Sequence, residues 1–298
     1  MNSRRLWLIL LVVPPLLWAG NALVGRAVVG RLDPVELSVW RWTVALAALL
    51  PFTFRSLLLY RRVLLSAWPA VVAMGVCSVG AYNTLLYMAM HTTTAINATL
   101  MGSGMPLMIL ILARLWLGDP IRPAQLAGIL VSACGMLAVV TRGDAGRLWS
   151  LELTPGDGLM MLATLAWAVY SVMLRRFALP VPALTLLTAF IVVGLVALTP
   201  FYLLGDGHAA LSELGPWEWG AVAYTGLFAS LVAFSFWNHG VAAVGAATAG
   251  QYSYLIPLFT ALLAIPLLGE RLHWYHALGG GLIFAGIFLA TRRKAATS

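Results

Sequence analysis

The sequence predicts an all-α integral membrane protein with ten transmembrane helices arranged as a five-plus-five inverted repeat. Three observations predict it. Of the 298 residues, 61% are hydrophobic and only 9% charged, with a mean hydropathy of +0.92. Soluble domains carry roughly 25% charged residues, so this chain cannot supply a solvated surface. Apolar stretches long enough to cross a bilayer recur from end to end. Finally, residues 95–117 return at an offset of 151 as residues 246–268. Pro106 meets Pro257, Leu112 meets Leu263, and each copy stops at a Gly-acid pair, Gly118-Asp119 and Gly269-Glu270.

The first segment, about residues 6–29, follows Arg4 and Arg5. A basic start before an apolar run also fits a cleaved signal peptide. However, Trp18-Ala-Gly-Asn21 has a partner in Trp167-Ala-Val-Tyr170-Ser171, and a discarded signal has no reason to be duplicated. Asp33-Pro34-Val-Glu36 opens the second segment with a cap, a first-turn proline and a first-turn acid. That segment runs to about Phe54, with Arg55, Arg61 and Arg62 after it. The third spans about residues 67–90, and a short turn from His91 leads into the fourth, residues 95–117. The fifth covers about residues 124–141.

Residues 142–156 are the longest polar stretch and divide the chain into two repeats, residues 1–143 and 144–298. Thr154-Pro155-Gly156-Asp157 repeats the capping pattern and starts the sixth segment, which ends near Arg175-Arg176. Pro180 and Pro182 lead the seventh to about Leu204. The eighth covers about residues 217–239, residues 240–245 turn into the ninth, residues 246–268, and the tenth covers about residues 274–291. Gly75 and Gly226, Gly128 and Gly279, and Gly135 and Gly286 keep the offset of 151. Five spans is an odd number, so the second half must cross the membrane in the opposite sense, as in many secondary transporters.

With the N-terminus in the cytoplasm, twelve loop or end arginines and lysines fall inside and five outside. That bias predicts a bacterial inner-membrane protein with both termini cytoplasmic. The net charge of +8 is then a matter of loop arginines, and no nucleic-acid partner follows from it. Cys77 and Cys134 lie inside apolar segments and form neither a disulfide framework nor a metal cluster. With no nucleophile elbow, paired carboxylates or phosphate loop, the sequence predicts no enzyme, cofactor or metal. The partners are the bilayer and a small-molecule substrate; the oligomeric state is open, and a monomer is compatible.

All ten acidic residues fall in loops or at predicted helix ends. Ion-driven carriers commonly keep a carboxylate near the midplane. Its lack points to facilitated exchange or uniport, or to coupling through His91 or His239, both of which also read as ordinary helix-end histidines. Arg41 is a basic residue inside a helix, roughly 10 Å along it from Pro34. An intramembrane arginine is a functional candidate, and a structural pairing or snorkelling is the alternative.

The uncharged candidates are richer. Pro106 and Pro257 are expected to bend their helices and free a carbonyl one turn earlier. Ahead of them lie Asn97, Met101 and Ser103, and Gln251, Tyr252 and Tyr254. The third segment offers Tyr82, Asn83 and Tyr87, and the eighth Trp237 and Asn238. From these the expected substrate-binding set is Trp18, Asn21, Tyr82, Asn83, Met101, Trp167, Tyr170, Asn238, Gln251 and Tyr254. Buried amides also glue helices together, and Trp7, Trp68, Trp217 and Trp274 suit interface anchoring. Trp18 and Trp167 are mid-segment and duplicated. Aromatic and amide groups suit a neutral or zwitterionic metabolite with an apolar body.

At these residues the chain resembles the drug/metabolite transporter superfamily, specifically the EamA-type bacterial exporters. The resemblance covers nearly the whole chain: Trp18-Ala-Gly-Asn21, Asp33-Pro34 with Arg41, and above all the paired Pro-x11-Gly-acid pattern. It implies ten helices, a central cavity lined by the first, third, fourth, sixth, eighth and ninth, and alternating access. It also implies efflux of amino acids or related metabolites, as in the YddG-like exporters of aromatic amino acids. Asp119 departs from the family's usual glutamate, and the seventh segment lacks the arginine of the second. The leading reading is therefore an exporter of neutral, aromatic or other hydrophobic amino acids. The alternatives are multidrug or cationic-metabolite efflux by the same fold and, more remotely, a membrane scaffold or enzyme.

Overall fold

The computed structural model describes residues 3–28, 31–93, 98, 101–149, 153–205, 214–268 and 273–291. Within them the elements are α-helical from end to end, with short π and 3-10 turns. In chain order they are α1 (Ser3–Leu10), α2 (Val13–Ala27), α3 (Pro34–Ser66), α4 (Trp68–Ala89), α5 (Met105–Leu117) and α6 (Pro123–Val140). The short α7 (Gly146–Trp149) precedes α8 (Pro155–Phe177), α9 (Ala183–Leu204) and α10 (Pro216–Val244). Last come α11 (Ala246–Gly250), α12 (Leu255–Leu268) and α13 (Trp274–Thr291).

Among the described residues, eight helical stretches are long and apolar enough to cross a membrane, and Met105–Leu117 is a shorter apolar helix. The expected fourth and ninth spans fall short for one physical reason. Neither Pro106 nor Pro257 bends a continuous helix; each stands in the first turn of a new one. A turn at residues 103–104 precedes α5, and the 3-10 segment Gln251–Tyr254 precedes α12. Proline lacks the N–H that a first turn leaves unbonded anyway, so it starts a helix readily.

Three other boundaries differ from expectation. The first span is interrupted at residues 11–12, where Pro14 and Pro15 restart it as α2. The second runs on past Phe54 to Ser66, so Arg55, Arg61 and Arg62 sit on the helix. The Leu- and Arg-rich stretch there contains no breaker, and these residues favour helix. At ~1.5 Å per residue its 33 residues reach about 50 Å, beyond a hydrocarbon core of about 30 Å. The eighth span continues through Gly240 to Val244. Gly240 serves close packing: a Cβ there would stand 2.4 Å from a Leu11 methyl, whereas Gly245 makes the turn with φ 90°. The helix starts agree with the capping pattern. Asp33 Oδ1 accepts from the Val35 N–H at 2.8 Å, and Asp157 Oδ2 accepts from the Thr154 N–H at 2.7 Å.

The two halves pack reciprocally. α2 lies on α12 and α8 on α5; α4 lies on α9 and α10 on α3; α3 and α9 lie against each other. At the seam between α6 and α13 the backbones themselves come together. A Cβ on Gly128 would stand 2.5 Å from the Gly286 carbonyl oxygen, and one on Gly135 would stand 2.6 Å from that of Gly279. Small residues let membrane helices meet backbone to backbone in this way. Gly128 and Gly279 share the offset of 151, as do Gly135 and Gly286, so each contact is the other with the halves exchanged. Between them Ser132 Oγ donates to the carbonyl of Ile283, its own counterpart, at 3.2 Å. α4 and α10 also share a π-helical segment, Val76–Ala81 and Thr225–Val232, whose C-terminal ends coincide at the same offset.

Candidate functional site

The polar side chains singled out on the first, second and third spans converge on Arg41. This residue is fully buried, and its guanidinium reaches four side chains from three other helices. Nη1 donates to Asn21 Oδ1 at 3.2 Å, Asn83 Oδ1 at 2.9 Å and Tyr87 Oη at 2.5 Å. Nε and Nη2 donate to Ser230 Oγ at 3.0 and 2.7 Å. Tyr87 Oη in turn donates to Asn21 Oδ1 at 2.8 Å. Every one of these partners is neutral, and among the described residues no carboxylate bonds Arg41. Ser230 reaches Arg41 because it lies in the π turn of α10, where its Oγ donates to the Thr225 carbonyl five residues back at 2.8 Å.

Beside this polar cluster lies an aromatic one. Trp167 is its hub, with ring centroids at 5.0 Å from Trp18, 4.7 Å from Tyr82 and 5.2 Å from Tyr170. Phe234 and Trp237 stand at 5.0 and 5.5 Å from Trp167. Most contacts are edge-on or tilted, the arrangements the ring quadrupole favours. Trp42 joins the clusters: the Arg41 guanidinium lies 5.2 Å from its ring centroid, and its ring lies 5.1 Å from Phe234. Trp18 Nε1 donates to the Ala229 carbonyl at 3.1 Å, and Tyr170 Oη donates to Asn238 Oδ1 at 2.5 Å.

The two clusters occupy matching places. Gly226 packs against the carbonyl of Arg41, and its counterpart Gly75 packs against the carbonyl of Phe190. Between α2–α3 and α8–α9 the offset is 149: Trp18 matches Trp167, Asn21 matches Tyr170, Pro51 matches Pro200 and Arg41 matches Phe190. Between α4 and α10 it is 151, so Asn83 matches Phe234 and Tyr87 matches Asn238. The Tyr87–Asn21 bond of one half therefore recurs as Tyr170–Asn238 in the other, with tyrosine and asparagine exchanged. Phe190 is fully buried and packs edge-on to Tyr170 at 5.9 Å, where Arg41 makes its hydrogen bonds.

Of the expected substrate-binding set, Trp18, Asn21, Tyr82, Asn83, Trp167, Tyr170 and Asn238 come together here. Gln251 and Tyr254 are buried in the same core, and among the described residues neither amide atom of Gln251 has a hydrogen-bond partner. Met101 goes elsewhere, against Leu86, Ala89, Ala98 and Met160. Asn97 lies outside the described residues. His91 and His239 are both exposed, and His239 stacks on Trp7 at 5.3 Å. Neither histidine reaches the centre. Ser230, Phe234, Trp42 and Phe190 were not anticipated; the one available signal was Trp42, adjacent to the intramembrane arginine.

Polar contacts join helices at both ends. At the end where α1 begins, Arg175 pairs with Asp119, Arg176 donates to the Trp116 carbonyl, and Tyr252 Oη donates to the Leu8 carbonyl at 2.7 Å. At the far end Arg31 pairs with Glu218 at 2.7 Å, and Thr93 bonds Asp157. A narrow crevice enters there between α2, α3 and α4, with Tyr87 in its wall.

A bundle of apolar helices around a buried polar and aromatic centre defines a polytopic membrane protein with a candidate solute site. The EamA-like transporter family model matches it twice, over residues 5–141 and 154–292. The chain belongs to the EamA-like transporter family. It is similar to a Bacillus subtilis protein called uncharacterized transporter YyaM, 26% identical over 90% of this chain and 88% of that one. It is also similar to a probable terminal-alkyne amino-acid exporter of Streptantibioticus cattleyicolor, 26% identical over 98% of this chain and 94% of that one. A crystal structure at 24% identity covers 95% of this chain and 96% of its own with a TM-score of 0.78, a likeness of fold.

Proposed function

We propose that this chain exports neutral amino acids with aromatic or other hydrophobic side chains across a bacterial inner membrane by alternating access. The observation that carries the reading is the buried cluster of Trp18, Trp167, Tyr170 and Trp237, with the partly buried Tyr82 against it and a few polar contacts between helices at each end. Such contacts break at small cost, which suits ends that open in turn. The similar protein named as a probable amino-acid exporter supports the substrate class. The reciprocal seam and the exchanged Tyr–Asn pairs support ten helices in a five-plus-five inverted repeat, with repeats 1–143 and 144–298. With the termini cytoplasmic, Arg175 and Asp119 close the inner end and Arg31 and Glu218 the outer. The exposed His91 and His239 favour exchange or uniport over histidine coupling. The buried cation Arg41 weighs against efflux of cationic drugs.

The test is counterflow of labelled phenylalanine, leucine and arginine in proteoliposomes, with and without a pH gradient. Phenylalanine and leucine are expected to exchange without the gradient, and Trp18→Ala, Tyr82→Ala and Trp167→Ala to impair exchange in protein that still elutes as a folded species. Unimpaired exchange in all three variants removes the aromatic cluster from the site.

A further inference from the structure

We propose that Arg41, together with Asn83, is the receptor for the carboxylate of the transported molecule, so that the carboxylate is obligatory while the amino group is not. This rests on the exporter reading above and names what it selects. Three observations point the same way. The guanidinium is fully buried, and the four side chains it bonds, Asn21, Asn83, Tyr87 and Ser230, carry no charge. A buried cation without a counter-charge costs several kcal/mol, and such groups in membranes mark solute paths.

Second, two donors at this cluster, Asn83 Nδ2 and Arg41 Nη2, have hydrogen-bonding capacity to spare. Asn83 is 2% exposed; its Oδ1 accepts from Arg41, and its Nδ2 has no partner among the described residues. Arg41 Nη2 carries two N–H groups and bonds a single oxygen, that of Ser230. A carboxylate supplies two acceptor oxygens and the missing negative charge together, and its pairing with a guanidinium fork is the strongest of the side-chain hydrogen bonds.

Third, the fold does not need the charge for packing. At the matching place in the other half Phe190 packs beside Gly75, as Arg41 does beside Gly226. A residue kept only to tie helices could be apolar in both places.

Geometry also supplies a place for the rest of the molecule. Tyr87, which bonds Arg41, lines the crevice at the far end. On the other side Trp42 leads from Arg41 to Phe234 and the tryptophans, so an apolar body would lie among the rings with its acid group on the guanidinium.

The experiment uses the full chain and three probes of one shape: phenylalanine, 3-phenylpropanoate (acid, no amine) and 2-phenylethylamine (amine, no acid). Each competes against labelled phenylalanine in counterflow. The wild type is expected to be inhibited by both acids and at least about tenfold less by the amine, the scale of one charge-assisted bond. In Arg41→Gln the acids should weaken at least about tenfold and the amine not at all. An amine that competes as well as the acids, or an Arg41→Gln protein that keeps the wild-type preference, overturns the proposal. Should Arg41→Gln not fold, Asn83→Ala is read in the same way, and an unchanged preference there overturns it too. If the wild type moves no amino acid, the exporter reading fails, and the carboxylate site is judged on binding alone. A thermal shift by 3-phenylpropanoate, lost in the Arg41 or Asn83 variant, upholds it; a shift absent from the wild type or retained in the variant overturns it.

Discussion

The two clusters at the centre of this protein are built on matching backbone and made of opposite chemistry. Asn21, Arg41, Asn83 and Tyr87 on one side correspond to Tyr170, Phe190, Phe234 and Asn238 on the other. In the first, a cation gathers neutral oxygens; in the second, rings gather around Trp167 with one neutral hydrogen bond among them. The fold offers two equivalent positions, and the side chains turn them into a polar end and an apolar end.

That contrast can be broken at several strengths. Trp167→Ala removes the hub of the aromatic side, and opening a cavity at a buried tryptophan costs about 3–5 kcal/mol; unfolding by heat in detergent should show the largest loss here. Tyr87→Phe deletes a hydroxyl bonded to a guanidinium, worth about 1.5–3 kcal/mol. Its matching change, Tyr170→Phe, deletes a neutral bond of about 0.5–1.5 kcal/mol and should lower the midpoint less. Equal losses in the two tyrosine variants would show that the Arg41 charge adds nothing to the polar side. Glu218→Gln, at the far end, should leave the midpoint unchanged and speed counterflow, because it loosens one closing contact and touches neither cluster.

Much of the frame was readable from the sequence, because hydropathy, caps and repeat glycines are local signals. Asp33 and Asp157 cap their helices as the sequence predicts, and the glycines that mark the repeat in α6 and α13 turn out to be its contact points. The duplicated Trp18 and Trp167 were legible as a pair, and they do meet. The centre was less legible, since Arg41 and Ser230 are 189 positions apart and Ser230 sits in an apolar run with no pattern to mark it. A π turn that re-aims one hydroxyl leaves no trace in composition. Phe190 was hidden for a different reason. The repeat slips from 149 to 151 positions between the early and late helices, so a single offset sets Arg41 against Val192, which is 42% exposed, and the arginine looks unmatched. The broken helices before Pro106 and Pro257 were misread as bends because proline marks a discontinuity without saying on which side it falls.

The seam between α6 and α13 constrains how such a molecule can move. Its backbones meet at glycine twice, with the side chains of Ser132 and Val139 set against Gly286 and Gly279. Sliding either helix by one residue would drive a Cβ into a carbonyl, whereas rotation about the Ser132–Ile283 contact leaves both glycine pairs in register. Under the alternating-access reading proposed above, this pair would serve as an axle about which the remaining helices rock. Spin labels placed on the lipid faces of α6 and α13 should hold one distance through the whole transport cycle, and a distance that changes with substrate would show that the axle slips.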